Sequence, residues 1–483
     1  MGLLVMFSSH GNSSVALADR AGPVRWSSPL NLSDTPTMSD TPYLVSDRYG
    51  FVHAFWVEDY DGPRFDRSSK QANTIFYSRW DGTSWSNPVD LFVASGNAFS
   101  QPVAAISEDS RLYLFWLGWD GIHFSSASAY GASSAKAWSK EQVVATATGY
   151  RPAVAALHTG EVYLVYSALQ QAGSKDGNIY VMKSSDNGES WSAPVQISQI
   201  DPEVATLAVF PHLVVDGRGR LHVAWYETDP PNYVGTAVFY SRSLDGGQSW
   251  DRPLKVAESS GESTWASAVQ VVTRQDDQVY ITWVCGKSPG RCSQRSTDGG
   301  SSWQPSQHLF GSLHSLAAWD AVTVDEASGA VYWVLQLRYP EGLYYTYLDG
   351  DQWVDPPFLV DDGPLIRGHG PSVAVVRGNQ LQIAASVPES GDVWAISGVN
   401  LAVAAQQAQP MPTEYPTPIA FSTITATAAP AATPTKLPNT IESTVDPALN
   451  QQRVWGFGFW MSFIPTMLLI GTVVILRRVR SFR

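Results

Sequence analysis

The stretch Ser296-Thr297-Asp298-Gly299-Gly300-Ser301-Ser302-Trp303 is the most informative part of this chain, because its pattern S-x-D-x-G-x-x-W returns at residues 184–191 and 243–250. An aspartate in such a stretch accepts hydrogen bonds from the backbone of its own turn, and a glycine supplies positive φ at low cost. Each copy predicts a β-hairpin whose turn is locked by its own side chains. We expect structural roles for Asp186, Gly188, Trp191, Asp245, Gly247, Trp250, Asp298, Gly300 and Trp303.

A tryptophan followed by a small or polar residue, and usually a proline, marks a longer repeat. It recurs at Trp26, Trp85, Trp138, Trp191, Trp250, Trp303 and Trp353. A second landmark, an apolar strand usually opened by proline, begins near Pro42, Pro102, Pro152, Pro211, Ser267, Asp320 and Pro371. Both landmarks recur seven times, which indicates a chain built from one repeated unit.

Each repeat contains four short strands. In the fourth repeat we predict them at residues 211–216, 220–226, 237–242 and 250–256, separated by turns at residues 216–219 and 245–247. Four strands in 50 to 60 residues predict one blade of an all-β propeller. The last repeat lacks its tryptophan strand, whereas the chain begins with an unpartnered one at Trp26. We therefore predict a propeller over residues 20–403, with seven blades (six as the alternative), closed by the N-terminal strand.

The three S-x-D-x-G-x-x-W stretches resemble the Asp-box, or bacterial neuraminidase repeat, of sialidases and related propellers. Residues 80–85 and 348–353 resemble degenerate copies. The resemblance implies a sialidase-like propeller. Sialidases, however, have six blades and carry an arginine in an F/Y-R-I-P sequence at the first inner strand. Here the matching place reads Asp40-Thr41-Pro42-Tyr43-Leu44, so the family's catalytic residues are not transferred.

The composition excludes one class of partner. The chain carries 31 Lys and Arg against 44 Asp and Glu, a net charge of −13, and 12% of its residues are aromatic. Nucleic acids need a basic surface, so we predict no nucleic-acid partner. Glu58, Asp59, Asp61 and Asp66 offer oxygens for Ca²⁺ but lack EF-hand spacing. We predict no metal and no cofactor, and a monomeric propeller.

The C-terminal region predicts a membrane anchor. Residues 454–476 carry no charge and form a helix of about 34 Å, enough to span a bilayer core of roughly 30 Å. Arg477, Arg478, Arg480 and Arg483 follow it, so residues 477–483 are expected in the cytoplasm and the propeller outside the cell membrane. A cytosolic, tail-anchored protein is the alternative. Residues 404–453, rich in Pro and Thr, read as a stalk, and residues 1–19 as a leader or disordered segment.

Cys285 and Cys292 are the two cysteines of the chain. They flank one predicted hairpin loop, where an oxidising exterior would allow a disulfide. Two unpaired thiols are the alternative.

The predicted strand order separates the blade into two faces. The turns between first and second strands and between third and fourth strands, which include the Asp-boxes, share one face, here called the turn face. The loops between second and third strands and the connections into each first strand share the other, the loop face. Variable loops on a rigid scaffold carry function, so we expect the binding site on the loop face.

Aromatic rings stack on sugars, arginine binds carboxylates, and aspartate or glutamate accepts hydroxyl hydrogen bonds. On the loop face the predicted ligand-binding residues are Trp119, Arg151, Tyr233, Trp265, Trp319, Asp320, Arg367 and His369. The residues that could take part in catalysis are Asp40, Asp320, Glu227 and Arg151. We expect a non-catalytic module that binds glycan or a surface protein; an exo-α-sialidase or related glycoside hydrolase is the alternative.

Overall fold

The computed structural model describes residues 22–59, 74–93, 100–118, 120–146, 150–157, 160–169, 177–200, 206–229, 234–259, 265–286, 290–311, 313, 319–325 and 327–409. The chain divides into two compact parts, Met1–Met411 and Pro412–Arg483, and the described residues belong to the first. The predicted leader, most of the predicted stalk and the predicted transmembrane helix lie outside them. Among the described residues, no helix is both long and apolar enough to cross a membrane.

The described strands form seven four-stranded antiparallel modules, most of which follow the chain from an inner to an outer strand. Two short strands come first, β1 (Val24–Trp26) and β2 (Leu30–Asn31). Module 1 contains β3 (Met38–Ser46), β4 (Val52–Asp59), β5 (Thr74–Trp80) and β6 (Val89–Val93). Module 2 contains β7 (Ser100–Ile106), β8 (Arg111–Leu117), β9 (Ile122–Ser128) and β10 (Gln142–Ala145). Module 3 contains β11 (Ala153–Ala156), β12 (Val162–Leu169), β13 (Gly177–Ser184) and β14 (Val195–Gln196).

The remaining modules repeat this arrangement. Module 4 contains β15 (Leu207–Val215), β16 (Leu221–Asp229), β17 (Val234–Ser243) and β18 (Leu254–Glu258). Module 5 contains β19 (Trp265–Arg274), β20 (Gln278–Gly286), β21 (Gly290–Ser296) and β22 (Gln307–Leu309). Module 6 contains β23 (Ala321–Asp325), β24 (Ala330–Arg338) and β25 (Glu341–Asp349), with β26 (Gln352–Trp353) and β27 (Phe358–Leu359) sharing the outer position. Module 7 contains β28 (His369–Val376), β29 (Gln380–Val387) and β30 (Asp392–Asn400). Two 3₁₀ turns, Ala135–Ala137 and Pro364–Arg367, complete the described secondary structure.

Module 7 takes its outer strands from the start of the chain. Both β1 and β2 pair antiparallel with β30, and Val24 lies opposite Asn400. Modules 3 and 4 share one hydrogen-bonded sheet through a single parallel pairing, Gly177 with Leu207. The all-β class and the four-stranded antiparallel organisation predicted from the sequence are confirmed.

The inner strands contact one another in order, β3 with β7, β7 with β11, and so on to β23 with β28, and β28 in turn contacts β3. The buried apolar residues follow the same order. They form seven clusters, and each cluster joins two neighbouring modules. The cluster that contains Trp56 and Ala384 joins module 7 to module 1. The apolar core therefore lies between modules, around a common axis.

A bulge recurs where the chain enters most inner strands. The pairing register shifts by one residue in β3, β7, β15, β19 and β28. The residue with positive φ at each bulge is Thr41, Gln101, Phe210, Ala268 or Gly370. A bulge re-aims the neighbouring side chains. On the loop face it sets the direction of the residues that enter each inner strand.

Two boundaries differ from the sequence prediction. The repeat tryptophans precede the outer strands, since β18 begins at Leu254, four residues after Trp250. The ordered chain also continues past residue 403. Gln406 N donates to the carbonyl of Arg377 in module 7, and Gln409 N donates to that of Arg48 in module 1. This C-terminal strap joins the last module to the first on the turn face.

Candidate functional site

The three Asp-boxes form the third-to-fourth-strand turns of modules 3, 4 and 5. Asp298 Oδ1 accepts hydrogen bonds from the backbone N–H groups of Ser301 and Ser302, and Ser302 Oγ donates to Oδ2. These hydrogen bonds, with that of the Ser302 hydroxyl the largest, lower the pKa of Asp298 to about 2. Asp245 has the equivalent set, and its pKa also falls to about 2. The carboxylates make their hydrogen bonds within their own turns, as expected for structural residues.

The Asp-box glycines allow each turn to pack against the preceding module. Gly300 has φ +82° and lies against the hydroxyl of Tyr240 in module 4, where a Cβ would overlap that oxygen. Gly188 has φ +89° and lies against the ring of Phe124 in module 2. The Asp-box turns therefore serve the junctions between modules, on the turn face.

On the loop face, Arg151 lies two residues before inner strand β11. Its guanidinium carbon is 5.1 Å from the ring centroid of Tyr43, which belongs to inner strand β3 of module 1. Arg151 therefore reaches past module 2. Burial lowers its pKa, and the described residues supply no carboxylate to it. Arg151 is half-buried, and a partly desolvated cation without an anion is costly, which makes Arg151 the clearest candidate for contact with an anionic ligand.

His212, on inner strand β15, lies close to Arg151. Its Nδ1 accepts a hydrogen bond from the backbone N–H of Val271 at 3.3 Å, which leaves the proton on Nε2. Burial, and then the charge of Arg151, lowers the pKa of His212 to about 4. At neutral pH His212 is uncharged and offers an N–H donor.

An aromatic cluster spans the mouth of the ring of inner strands. Phe210 stacks on Tyr226 with ring centroids 5.8 Å apart. It also makes edge contacts with Tyr150 at 5.2 Å and with Trp319 at 5.6 Å. Trp319 enters module 6, two modules from Phe210, and is 40% exposed. Trp319 is therefore the most exposed ring of the cluster.

Asp320, the residue after Trp319, is held by the protein itself. Arg291 donates to both carboxylate oxygens, from Nε at 2.5 Å and from Nη2 at 2.9 Å. Trp333 Nε1 and the backbone N–H of Gln336 donate as well. The Arg291 side chain is fully buried. These four donors occupy the Asp320 carboxylate, so its place is in a structural ion pair between modules 5 and 6.

This network continues into module 7. Gln336 Nε2 lies 2.9 Å from His369 Nδ1, and His369 is paired with Ser386 across β28 and β29. Ser386 Oγ donates to Asp40 at the entry to module 1. Burial lowers the pKa of His369. Asp40 and His369 thus lie near each other on the rim, apart from the contacts made by Arg151.

Arg367 and Glu227 lie elsewhere. Arg367 is exposed and pairs with Glu389 at 2.9 Å and Glu341 at 3.8 Å, on the loop face between modules 6 and 7. Glu227 is half-buried on β16, paired with Ala208 and Ala237. Burial raises the pKa of Glu227 to about 7. Among the candidate carboxylic acids, it is the one prepared to exchange a proton near neutral pH.

Some predicted residues lie outside the described structure. Trp119 and Tyr233 are among them, and the side chain of Trp265 is not described. Of the residues considered for Ca²⁺, Glu58 is buried and accepts hydrogen bonds from Thr35, Thr37, Ser39 and Trp56. No group of three or more potential metal ligands occurs in the described part of the chain.

Cys285 and Cys292 are joined by a disulfide between β20 and β21, at the loop-face end of module 5. Arg291, which holds Asp320, precedes Cys292. The disulfide therefore fastens the hairpin that presents the buried arginine.

Sequence reasoning missed Tyr43, Phe210, His212 and Tyr226. All four lie on inner or second strands at positions that apolar patterning assigns to the core. For those on inner strands, the proline that recurs in these strands is the sequence signal that could have identified them. Tyr43 follows Pro42 and His212 follows Pro211, and Arg151 precedes Pro152.

The BNR repeat-like domain family matches residues 121–417, more than half of the chain. The chain belongs to this family, as its Asp-box stretches predicted. No curated protein matches the chain.

The solved structures that the chain matches include a polysaccharide lyase, a sialidase and an arabinanase. An ulvan lyase bound to -[GlcA(1-4)Rha3S]- has a TM-score of 0.51 at 12% identity, over 77% of this chain and 96% of its own. The NanB sialidase of Streptococcus pneumoniae has a TM-score of 0.42 at 12% identity, over 78% and 70%. An α-L-arabinanase of Penicillium chrysogenum has 0.44 at 14% identity, over 78% and 99%. At these identities the likeness concerns the fold.

Proposed function

We propose that this chain is a non-catalytic propeller that binds an acidic glycan at the loop-face mouth of its inner strands. The observation that carries the proposal is Arg151, a half-buried cation to which the described residues offer no carboxylate. A carboxylate or sulfate on a sugar would complete the pairing, since a guanidinium forms two parallel hydrogen bonds with such a group.

The neighbours of Arg151 suit a sugar ring. The Nε2–H of His212 is a donor for a hydroxyl or a second anionic oxygen. The open face of Trp319 offers a stacking surface for the apolar side of a pyranose. An anion, a hydroxyl and an apolar face together describe a uronic, sialic or sulfated sugar. Uncharged glycans lack the first of these.

Binding without catalysis is favoured because Asp320 is occupied by four donors and lies in a buried ion pair. Hydrolysis of a glycosidic bond needs a proton donor and a second group on the opposite side of that bond. Glu227, with a pKa of about 7, is one suitable proton donor and supports exo-acting hydrolysis, such as a sialidase, as the second candidate.

The first experiment is calorimetric titration of the purified full chain with N-acetylneuraminic acid, glucuronic acid and glucose. We expect heat from an acidic sugar and none from glucose. Arg151→Met should abolish the heat, whereas Arg252→Met, the same change at an exposed arginine beyond the Asp-box of module 4, should preserve it. Equal binding of acidic and neutral sugars would contradict the proposal.

The second experiment separates binding from catalysis. The full chain is incubated with fluorogenic sialoside and glucuronide substrates at pH 5 to 7. We expect no release of fluorophore. Turnover that disappears in Glu227→Gln would establish the hydrolase instead.

We also propose that the seven modules are the blades of a closed seven-bladed propeller, anchored to the cell membrane by residues 454–476. Two observations support closure: β28 contacts β3, and the strap at residues 404–409 bonds to modules 7 and 1. The strap lies on the turn face, opposite the proposed site. Protease added to intact cells should release a soluble propeller, and a protected propeller would exclude an outside location.

A further inference from the structure

One position of the repeat carries an aromatic or imidazole ring in six of the seven modules. It is the second residue of an apolar stretch on the second strand, occupied by His53, Tyr113, Tyr163, His222, Tyr280 and Tyr332. In module 7 the equivalent residue is Gln382, on β29. The repeat therefore breaks at the junction between module 7 and module 1.

In modules 2 and 6 the ring reaches into the next module. Tyr113 Oη donates to Asn187 Oδ1 in the Asp-box of module 3, at 2.9 Å. Tyr332 Oη donates to the backbone carbonyl of Gly378 in module 7, at 3.1 Å. The ring thus fills the space between modules, and its polar atom meets a turn of the neighbour.

Gln382 does not extend that far. Its Oε1 accepts a hydrogen bond from Ser397, the residue opposite it on β30. The facing turn of module 1 is shortened as well, with three residues between Asp81 and Trp85 where the Asp-boxes have four. Because the ring is missing from module 7 and the facing turn of module 1 is shorter, a cavity of about 320 Å³ lies between them on the turn face.

The walls of this cavity are aromatic with a polar edge. The lining includes Arg25, Trp26, Trp80, Gln380, Gln382 and Ser397. The side chains of Arg25, Gln382 and Ser397 form the polar edge, and they carry both hydrogen-bond donors and acceptors.

We propose that this cavity binds a phenol ring, in the place that the repeat fills with tyrosine in modules 2, 3, 5 and 6. The ring would lie between Trp26 and Trp80, and its hydroxyl would meet the polar edge. The phenol could be a free small molecule or a tyrosine side chain of another protein. The site is on the face opposite Arg151, and the proposal does not depend on glycan binding.

The test uses the full chain and follows the fluorescence and NMR signals of its tryptophans during titration with 4-methylphenol. We expect saturable binding. 4-Methylanisole, which cannot donate a hydrogen bond, should bind roughly fivefold more weakly. N-acetyltyrosinamide distinguishes the sources: if it binds, a tyrosine side chain fits, and if it is excluded while 4-methylphenol binds, the ligand is a free phenol. Tighter binding of methyl glucoside than of 4-methylphenol would overturn the assignment.

Gln382→Tyr should abolish binding and raise the melting temperature, because it restores the missing ring. Module 2 already contains the resulting combination, since Tyr113 lies opposite Ser126. Ser397→Leu, which extends into the same cavity from β30, provides a second blocking variant should the first fold poorly. Arg252→Met is the control. Unchanged affinity in a folded blocking variant, or no saturable binding to the parent chain, would refute the proposal.

Discussion

Replacing Arg151 by methionine should make the ligand-free protein more stable while it removes glycan binding. The Arg151 side chain is half-buried and the described residues give it no anion, so the folded chain bears part of its desolvation cost. Methionine has a similar length and no charge, and it can keep the contact with the Tyr43 ring. A residue retained for stability would give the opposite result.

Two contributions set the expected change in the free energy of unfolding. The effective penalty for burying one ion reaches several kcal/mol, and we take about 2 to 3 kcal/mol for a half-buried arginine. The cation–π contact with Tyr43, 5.1 Å from the guanidinium carbon to the ring centroid, offsets about 1 kcal/mol. The variant should therefore gain about 1 to 2 kcal/mol. With an unfolding entropy of roughly 2 cal/mol/K per residue over the residues that form the modules, this stabilisation raises the melting temperature by about 1 to 2 °C.

Differential scanning fluorimetry of both proteins, with and without an acidic sugar, gives four melting temperatures. Saturating ligand, at about 100 times its Kd, adds about 2.7 kcal/mol to a protein that binds it, or roughly 3 °C here. We expect that shift in the parent chain and none in Arg151→Met. A variant that melts several degrees lower, or that keeps the ligand shift, would refute the role given to Arg151.

Three further predictions concern stability. Gly300→Ala should cost about 3 kcal/mol or more in urea unfolding, and Gly350→Ala about 1 kcal/mol, since both have positive φ but a Cβ overlaps the neighbouring module only at Gly300. In the folded protein His212 has a pKa of about 4, below its value in the unfolded chain. Between pH 6.5 and 4 the unfolded chain therefore takes up a proton that folded His212 does not, and the free energy of unfolding should fall as the pH falls. In His212→Gln this contribution to the pH dependence of stability should vanish, and an unchanged pH dependence would exclude His212 as its source. Replacing both Cys285 and Cys292 by serine should lower the unfolding free energy by about 2.5 kcal/mol, given a sequence separation of 7; an unchanged unfolding midpoint would show that the bond is not formed in solution.

The repeating parts of this fold can be predicted from the sequence because each depends on residues that are close together in the chain. The Asp-box needs its Asp, Gly and Trp within eight residues, so the three copies are visible without any tertiary information. Strand ends are less legible. β18 begins four residues after Trp250, because the tryptophan first covers the turn before the chain resumes pairing. The strap that follows Val403 has no local pattern, since its bonds go to Arg377 and Arg48.

The candidate site was only partly predictable, because its members come from several modules. Arg151 and Trp319 stood out as a charge and a large ring at strand entries. Tyr43 and His212 did not, since a ring on an apolar strand reads as core until the axis of the inner strands is known. Asp320 shows the reverse difficulty. Its partner Arg291 comes from another module, so the sequence could not reveal that the carboxylate is already occupied.

The two halves of the loop face differ in how many of their polar side chains already have hydrogen-bond or ion-pair partners. This difference indicates where we expect the ligand to bind. Across modules 5, 6, 7 and 1, Arg291, Asp320, Gln336 and His369 form one continuous network, so an entering ligand would have to break existing bonds. Across modules 1, 3 and 4, by contrast, Arg151 lies on an aromatic ring with no anion described beside it. The satisfied half includes Asp320, and its four hydrogen bonds anchor the backbone next to Trp319, whose ring also contacts Phe210. Preorganisation of this kind lowers the entropic cost of association, and we therefore expect an acidic sugar to pair with Arg151 and to rest its apolar face on Trp319.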